Sequence, residues 1–507
     1  MSDKINSNST GLSYAKEDSL RVLPVTPIWK GICPNSYSDF GSDIKTVARK
    51  CINVSRQRKK GTVVDIDASG GFNVDLSQNN IVDFLQGFLF ADAHEKPTTK
   101  SLNGAQVAIT SVAGGAGTSA FNAASGLESF KVGSVIFASG FANAINNGPK
   151  TVAGVAATSI QIVETLVVES TPSSDAFVQT CGFAFGLSDL SLTASASSIS
   201  ITTIAKDFTT MSLNVGEWIF IGGDEANKAF ANNVGFARIS AITTKKLNFD
   251  NTTFAAVTES GTGKSIKIYN GVFIRNEETA ALIKRTTYQL ERTLGEDNDG
   301  TMSEYLEGSI PNELKLNIPT AEKATVDLSF VSMDNVQRTG LEGLKTGTRV
   351  PEVNEDAINT SSNIYRVKLS IVDPLVLNNP SLFGYVSEAS IDITNNAEPL
   401  KAISVLGSFE ASEGDFEVSG SLSAFFTTVE AVAAVRNNRD AGFDIIFSNQ
   451  NAGQVFDIPL LSLGNGKLNV EIDSPIKLPL DTSGAENDNG YTLSYTNLPY
   501  LPDLAMA

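Results

Sequence analysis

Hydrophobic and polar residues alternate with a period of two along much of this chain. The alternation is cleanest at residues 72–76, 314–318, 326–330, 391–393, 416–422 and 468–472. Strands with this pattern bury one face and leave the other in water, which is typical of antiparallel sheets. Gly, Asn, Asp, Ser and Thr fill the gaps between them and favour turns. The pattern therefore predicts a mainly β protein.

Helical spacing of apolar residues is confined to three short segments. Residues 81–89 form the first, with Asn79 or Asn80 as the expected N-cap. Residues 429–436 form the second, capped by Thr428, and residues 277–284 form the third. Each predicted helix is long enough to cover one face of a sheet, so its apolar stripe indicates core packing rather than a cofactor site.

The middle of the chain repeats itself. Residues 130–137 match residues 213–220, and the Asn-Asn-Gly turn at residues 146–148 is echoed at residues 232–235. Each copy reads as several short strands joined by Asn and Gly turns. Two small β-barrel or sandwich modules are therefore predicted here.

A weaker symmetry relates the outer parts of the chain. A strand leading into a helix occurs at residues 72–89 and again at residues 416–436. Residues 305–330 likewise resemble residues 385–422. Two related sheet-plus-helix units, interrupted by the repeated insert, are therefore expected.

Charge excludes several classes of function. The chain has 507 residues, with Lys+Arg 38 against Asp+Glu 56 and a formal net charge of -18. A surface that wraps nucleic acid needs clustered Lys and Arg, and docking on anionic lipid needs positive charge. The one short basic run, residues 56–60, reads as a solvated loop before a strand.

No apolar run is long enough for a membrane span, and residues 1–16 lack the apolar stretch of a signal peptide, so a soluble protein is expected.

Catalytic and metal-binding chemistry is sparse. The single histidine, His94, lies in a polar connector and is expected to be an exposed loop residue. Cys33, Cys51 and Cys181 have no CxxC spacing and are expected to be reduced, partly buried thiols. Residues 295–300 lack the ligand spacing of a calcium loop, and the glycine-rich residues 113–118 lack the Lys-Ser/Thr of a phosphate loop, which favours a flexible linker. We therefore predict no catalytic, cofactor-binding or metal-binding residue.

Four pieces of the outer segments follow one another in a recognisable order. These pieces are residues 23–27; residues 71–77 running into 81–89; residues 288–292 with 305–318 and the strand at Val326; and residues 414–422 with the following helix and 456–460. By this order, rather than by one specific motif, the outer segments resemble the major tail tube proteins of long-tailed, siphovirus-type bacteriophages. The middle insert departs from the minimal family pattern and is similar to extra β modules that some tube proteins display on the outside of the tail.

The resemblance implies a structural virion protein, not an enzyme, with no cofactor. It implies tail-tube-type β-sandwich or half-barrel units with flanking short α-helices, plus the two inserted modules. Copies of the chain would form a ring, trimeric and pseudo-hexameric if each chain holds two units, or hexameric if the second symmetry is accidental. Rings would stack into a tube in the virion tail, assembled in the host cytoplasm, with other tail proteins at its ends. DNA would pass into the host through an acidic channel without specific binding, and the polar faces carrying Asp75 and Glu417 are expected to look toward this channel.

The expected organisation follows from these assignments. It comprises a flexible N-terminal arm (1–20), the first part of the tube domain (21–100), inserted module 1 (101–205), inserted module 2 (206–272), the continuation of the first unit (273–334), a long inter-subunit or inter-ring loop (335–363) and a second tube-like unit (364–507).

Two other classes of function compete with a tube protein. A virion receptor-binding or adhesion protein would also carry repeated β modules, although binders usually present aromatic-rich clefts. A β-rich hydrolase acting on polysaccharide would need a carboxylate pair at a defined separation in a cleft. The spacing of carboxylates in this sequence marks no such pair.

Overall fold

The computed structural model describes residues 9–503 except 53, 55–56, 298–299, 374, 427, 469 and 471, and the side chain of residue 297. The protein is mainly β, with two α-helices in this part of the chain. The elements up to residue 100 are β1 (Gly11–Lys16), β2 (Ile28–Ile32), β3 (Ser36–Arg49), β4 (Lys59–Asp75) and α1 (Val82–Phe88).

The middle of the chain is built of short strands. These are β5 (Ile109–Ala113), β6 (Ala120–Ala123), β7 (Ser134–Ser139), β8 (Gly148–Ala156), β9 (Ser159–Ile162), β10 (Phe177–Ala184), β11 (Leu190–Ser195), β12 (Ser198–Thr203), β13 (Trp218–Ile221), β14 (Gly235–Ile242), β15 (Lys246–Thr252), β16 (Glu259–Ser260) and β17 (Lys267–Tyr269). Short 3-10 turns lie at Ala144–Asn146, Phe208–Thr210 and Ala226–Lys228.

The last part returns to longer strands. These elements are β18 (Val272–Arg275), β19 (Tyr288–Asp297), β20 (Gly300–Ile318), β21 (Thr325–Ser332), β22 (Asp334–Arg338), a 3-10 turn (Gly340–Glu342), β23 (Thr348–Val350), β24 (Ile364–Ile371), β25 (Val386–Thr394), β26 (Glu398–Leu400), β27 (Glu410–Ser412), β28 (Glu417–Phe425), α2 (Glu430–Arg436), β29 (Ala441–Asn449), β30 (Ala452–Asn465), β31 (Lys477–Gly484) and β32 (Ser494–Leu498).

Eight antiparallel strands form the main sheet, in the order β3–β4–β21–β20–β25–β28–β31–β30. Their alternating apolar residues, among them Phe72, Leu328 and Ile391, face one large core. The helices α1 and α2 and a second layer of strands cover the other side of that core. In the second layer, β23–β2–β1–β19 join the first half of β20, whereas β24–β29 and β18–β32 flank the first half of β30.

The chain contains two units of the same topology. Strand pairing runs β1–β19–β20–β21–β4–β3 in the first unit and β24–β29–β30–β31–β28–β25 in the second. In each, the hairpin partner strand β4 or β28 leads into the helix, which agrees with the predicted likeness of residues 72–89 and 416–436. The predicted likeness of residues 305–330 to 385–422 is wrong, because β20 and β21 correspond instead to β30 and β31. Alternation of period two is common to all these strands, so it does not distinguish between them.

The two inserted modules also share one topology. Their strand orders are β5–β6–β9–β8–β7–β10 and β11–β12–β15–β14–β13–β17, and the antiparallel pair β10 and β17 joins them into one 13-stranded sheet. Each module has its own core. Leu192 and Ile201, which precede residue 205, belong to the core of the second module. We propose a division at the loop before β11, because it follows the packing more closely than a division at residue 205.

One buried contact recurs in both modules. The side chain of Asn146 donates to the carbonyl of Val167 at 2.9 Å and to the carboxylate of Glu169 at 3.1 Å, and its oxygen accepts the N–H of Val167. In the second module, Asn233 makes the same three contacts with Val257 and Glu259, at 3.0, 2.9 and 2.9 Å. In each module, the buried Asn side chain of the repeated turn therefore holds two loops together by hydrogen bonds.

The insert begins and ends at one place. His94 and Phe273 form an antiparallel bridge, with N–H···O distances of 2.7 and 3.3 Å. The insert packs on the second unit through an apolar cluster that includes Trp218 and Tyr269 of the insert and Val455 of β30. The insert therefore covers the outer face of β29, β30 and β32, on the side away from the main sheet.

Helix boundaries agree with the first two predictions to within about two residues, the usual uncertainty of helix ends, but the predicted caps are wrong. Neither helix has a side-chain cap. Asn80 instead binds the backbone of Ser77 and Asp75, and Asn79 binds Glu355. These turns use the Asn side chains before the helix begins.

The third predicted helix, residues 277–284, does not form. Lys284 donates its N–H to the carbonyl of Phe90 at 2.7 Å, and Ile283 bridges to Ala91. A helix of this length is marginal by itself, and here its backbone groups pair with the segment after α1.

The N-terminal arm is ordered where the structure describes it. Residues 11–16 form β1, in which Leu12, Tyr14 and Ala15 are buried, so the expectation of a flexible arm up to residue 20 is wrong for this part; residues 1–8 lie outside the described residues. Residues 335–363 include β23, and Ile358 is fully buried. This segment packs on its own chain, and its predicted contact with a neighbour stays a prediction.

The predicted strand at residues 468–472 is not formed at the positions that the structure describes, and Asn469 and Glu471 lie outside them. β30 ends at Asn465, which has a positive φ of 61°. The described residues of this segment alternate as a strand would, but they pair with no strand in the described part of the chain.

Candidate functional surface: the polar face and edges of the main sheet

The face of the main sheet that looks away from the core is polar across all eight strands. One row of directly paired residues crosses the whole sheet. From β3 to β30 this row reads Ser36, Asn73, Asp327, Lys315, Asp392, Ser419, Ser483 and Ser462. Asp75 and Glu417 lie on the same face, and neither is buried. The polar positions of the alternating strands therefore form one continuous surface, and none of the residues that the structure describes covers it with a core.

Two lysines on this surface are matched by aspartates. Lys315 lies 3.4 Å from Asp392, and Lys323 lies 2.7 Å from Asp75. Both lysines are about half exposed, so each pair adds little to stability. The pairing nevertheless leaves few cations on this face without a neighbouring carboxylate.

A second cluster of charges lies where β3 and β4 extend beyond the rest of the sheet. Lys45 and Lys401 both contact Asp67, and Lys401 also contacts Asp65. Hydrogen bonds from Lys401 and Lys45 lower the pKa of the Asp67 carboxyl, and a hydrogen bond from Lys401 lowers that of Asp65. These carboxylates are ionised at neutral pH and neutralise the two lysines.

The two edges of the main sheet are open in the described part of the chain. β3 pairs with β4 on one side and has no strand partner on the other. β30 pairs with β29 as far as Leu461; from Ser462 to Asn465 its strand partner is β31 alone. Unpaired strand edges are sites at which another chain can add.

Exposed apolar side chains concentrate near the β3 edge. Ile44 is 60% exposed and Val47 58% exposed on β3. The neighbouring loop between β26 and β27 exposes Ile403 at 97% and Phe409 at 48%. This cluster of apolar side chains in water is typical of a surface that contacts a partner.

A buried polar network joins the insert to the second unit. Arg238 of β14 contacts both carboxylate oxygens of Asp457 at 3.0 Å, and Arg366 contacts Asp444. Lys368 lies beside them, 3.1 Å from the amide oxygen of Asn251, and burial together with the charge of Arg366 lowers its pKa to about 8. The network fixes the insert against β29 and β30.

The single histidine and the three cysteines lie in separate surroundings. His94 is half-buried, and its Nε2 lies 3.3 Å from Glu277. None of the three cysteines, all in the described part of the chain, forms a disulfide. Cys181 is buried, which raises the pKa of its thiol, whereas Cys33 and Cys51 are exposed, unlike the partly buried thiols expected.

The segments weighed as ion sites each lie between two paired antiparallel strands. Residues 113–118 join the paired strands β5 and β6, so the expected flexible linker is a tight connection. Residues 295–300 connect β19 to β20, and positions 298–299 lie outside the described residues. In the basic run, Lys59 and Lys60 are exposed as expected, but they belong to β4 itself rather than to a loop before it, and Arg56 lies outside the described residues. Over the ranges that are described, no group of three or more His, Cys, Asp or Glu side chains is arranged to hold a metal ion.

A comparison with protein-family models gives a match over nearly the whole chain. The model of the family described as phage tail tube protein matches residues 7–496. The chain belongs to the phage tail tube protein family. A comparison with curated proteins finds no match. The family is one of structural tail proteins, and it locates this tail tube protein in the tail of the virion. No helix within the described residues is long and apolar enough to cross a membrane.

The sequence indicated the polar strands of this tail tube protein but missed the two open edges and the docking of the insert. Edges depend on which strands pair, and the strand alternation carries no information on partners. The docking could have been suspected from Arg238, a lone charged residue within the apolar run of β14.

Proposed function

We propose that copies of this chain close into rings that stack into the tail tube, with the polar face of the main sheet lining a channel for DNA. Each chain supplies two units of one topology, so a ring of three chains imitates six-fold symmetry, and other tail proteins cap the tube. The observation that carries the proposal is the polar row across all eight strands, which ends at two open edges.

The charge of this face suits the passage of DNA. Lysine or arginine clusters along a wall would attract phosphates and hold the duplex in place. Here Lys315 and Lys323 are matched by Asp392 and Asp75, and the chain as a whole carries a net charge of -18. Such a wall stays hydrated and repels the duplex from all sides.

The layers of the molecule support an external position for the insert. The main sheet, the core, the second layer and the insert follow one another in that order, because the insert packs on the outer side of β29, β30 and β32. If the main sheet lines the channel, the two modules lie on the outside of the tube.

Reversal of charge on the polar face tests this function. Glu417→Lys with Asp481→Lys changes two exposed residues of the face, and the matched control, Glu128→Lys, lies on an exposed position of the insert. Purified wild-type and control tubes should leave linear duplex DNA unbound at low salt, whereas the double variant should retain it until salt is raised. Retention of DNA by wild-type tubes, or equal behaviour of the double variant and the control, would contradict an acidic channel.

A further inference from the structure

Within the main sheet, the two units of the described chain meet at one strand pair. β25, the edge strand of the second unit, adds antiparallel to the far half of β20, from Glu313 opposite Thr394 to Ile318 opposite Ala389. On the opposite side, the same half of β20 pairs with β21. This contact is what makes two four-stranded sheets into one sheet of eight strands.

Each unit also has one strand that could form a second contact of this kind and that has no partner there. In the first unit β3 corresponds to β25, and in the second unit β30 corresponds to β20. Over the described residues, β3 has β4 as its one strand partner, and β30 beyond Leu461 has β31. The two open strands lie at opposite ends of the eight-stranded sheet, so they do not pair within one chain.

We propose that β3 of one copy adds antiparallel to β30 of the next copy, beyond Leu461, and so repeats the contact between β25 and β20. The inference rests on the proposed function and deepens it by naming the strands that close the ring. Closure in this way makes the main sheets continuous and removes both edges.

The faces of the two strands are compatible with this pairing. On β3, Ile44 is on the core side of the sheet but remains 60% exposed, while Asp43 is on the polar side opposite Asp67. On β30, Leu463 is on the core side and Ser462 on the polar side. Antiparallel addition puts apolar beside apolar and polar beside polar, whereas a slip by one residue would reverse every side chain.

Cysteine cross-linking between copies tests the proposal. In a chain in which Cys33 and Cys51, both exposed, are replaced by Ser, one variant carries Asp43→Cys and another Ser462→Cys. A thiol cross-linker of about 10 Å spans roughly three residues along a strand, so it tolerates a small shift of register. The control is a chain with Lys315→Cys and Asp392→Cys, which are directly paired within one copy.

The expected result is a covalent dimer only when the two single-cysteine variants are assembled together. If tubes are visible by microscopy and the control reacts but the mixed variants give no dimer, the edge pairing is wrong while the tube function stands. If neither rings nor tubes form at high concentration of the full-length protein, both proposals are wrong.

Discussion

Single residues carry the strongest sign of internal duplication. Asn146 and Asn233 are both fully buried and make the same contacts with a Glu carboxylate and a backbone amide two residues before it. One Asn amide group supplies both the donor and the acceptor that these contacts need. Similarity of the turn sequence predicted a repeat, but the carboxylate partner was not predicted, because it lies more than twenty residues away in each copy.

Asn146→Ala and Asn233→Ala should each destabilise the module that carries them by about 1–3 kcal/mol, since a buried amide N–H and a carboxylate lose their partner. Hydrogen exchange read module by module measures the effect. Asn232→Ala, at an exposed position, is the control and should change little. Loss of protection spread equally over both modules would contradict the local role.

Lys368 should make stability depend on pH. Burial and the neighbouring Arg366 lower its pKa to about 8, while Asp444, Arg238 and Asp250 complete its charged surroundings. The folded chain favours the neutral amine, whereas the unfolded chain keeps the amine protonated up to the ordinary pKa of a lysine. The folding stability that depends on Lys368 is therefore fully present above that ordinary pKa, and it is lost as the pH falls from there through about 8.

As the pH falls from 10.5 to 7, the free energy of unfolding of Lys368→Met should therefore rise by up to about 3 kcal/mol relative to that of the wild type. Chemical denaturation at a series of pH values measures the difference. Lys131→Met removes one exposed lysine and serves as the control. Parallel curves for the wild type and Lys368→Met would contradict the assignment.

At the scale of elements, alternation of period two predicted strands better than it predicted their ends. β21 agrees because Val326, Leu328 and Phe330 all face the core. The helix caps failed because Asn79 and Asn80 have closer partners in the folded chain. β1 was missed because only Leu12, Tyr14 and Ala15 mark it in a Ser- and Asn-rich stretch, and its strand character depends on pairing with β19, far along the chain.

The connector before the insert is fixed by a buried ion pair. The ammonium of Lys96 lies 2.8 Å from the carboxylate of Glu217, and both side chains are at most 1% exposed. Lys96 also donates to the carbonyl of Ser212 at 2.6 Å. A segment that reads as a polar connector thus holds the first unit to the second module.

Lys96→Met should lower the free energy of unfolding by about 3–5 kcal/mol, because it leaves the Glu217 carboxylate buried without its cation. Adding Glu217→Leu should recover part of the loss. Removal of the exposed pair Lys228 and Glu225 should cost less than about 1 kcal/mol and is the matched control. Urea denaturation measures all variants, and a double variant less stable than Lys96→Met would contradict this account.

At the scale of the whole molecule, the insert is a separable addition. Its ends meet at the bridge between His94 and Phe273, and its two cores are distinct from the large core. The sequence predicted both modules from their repeat. It did not predict that the second unit supplies the surface on which they pack.

Replacement of residues 96–271 by a short Gly-Ser linker, with Ile446, Val455 and Leu498 changed to Thr, should leave a chain that folds and assembles into narrower tubes. The three changes replace apolar side chains that the insert covers. Tube diameter by electron microscopy measures the outcome, with the triple Thr variant of the full chain as control. Tubes of unchanged outer diameter would contradict an external insert.

The most direct test of the central claim is a three-dimensional reconstruction of assembled tubes by electron cryo-microscopy. The account predicts that Asp327, Asp392 and Asp481 line an open lumen, that β3 of each copy lies beside β30 of the next, and that the insert is outermost. A map in which the polar face of the main sheet is buried against another chain, or in which the insert lines the lumen, would contradict it.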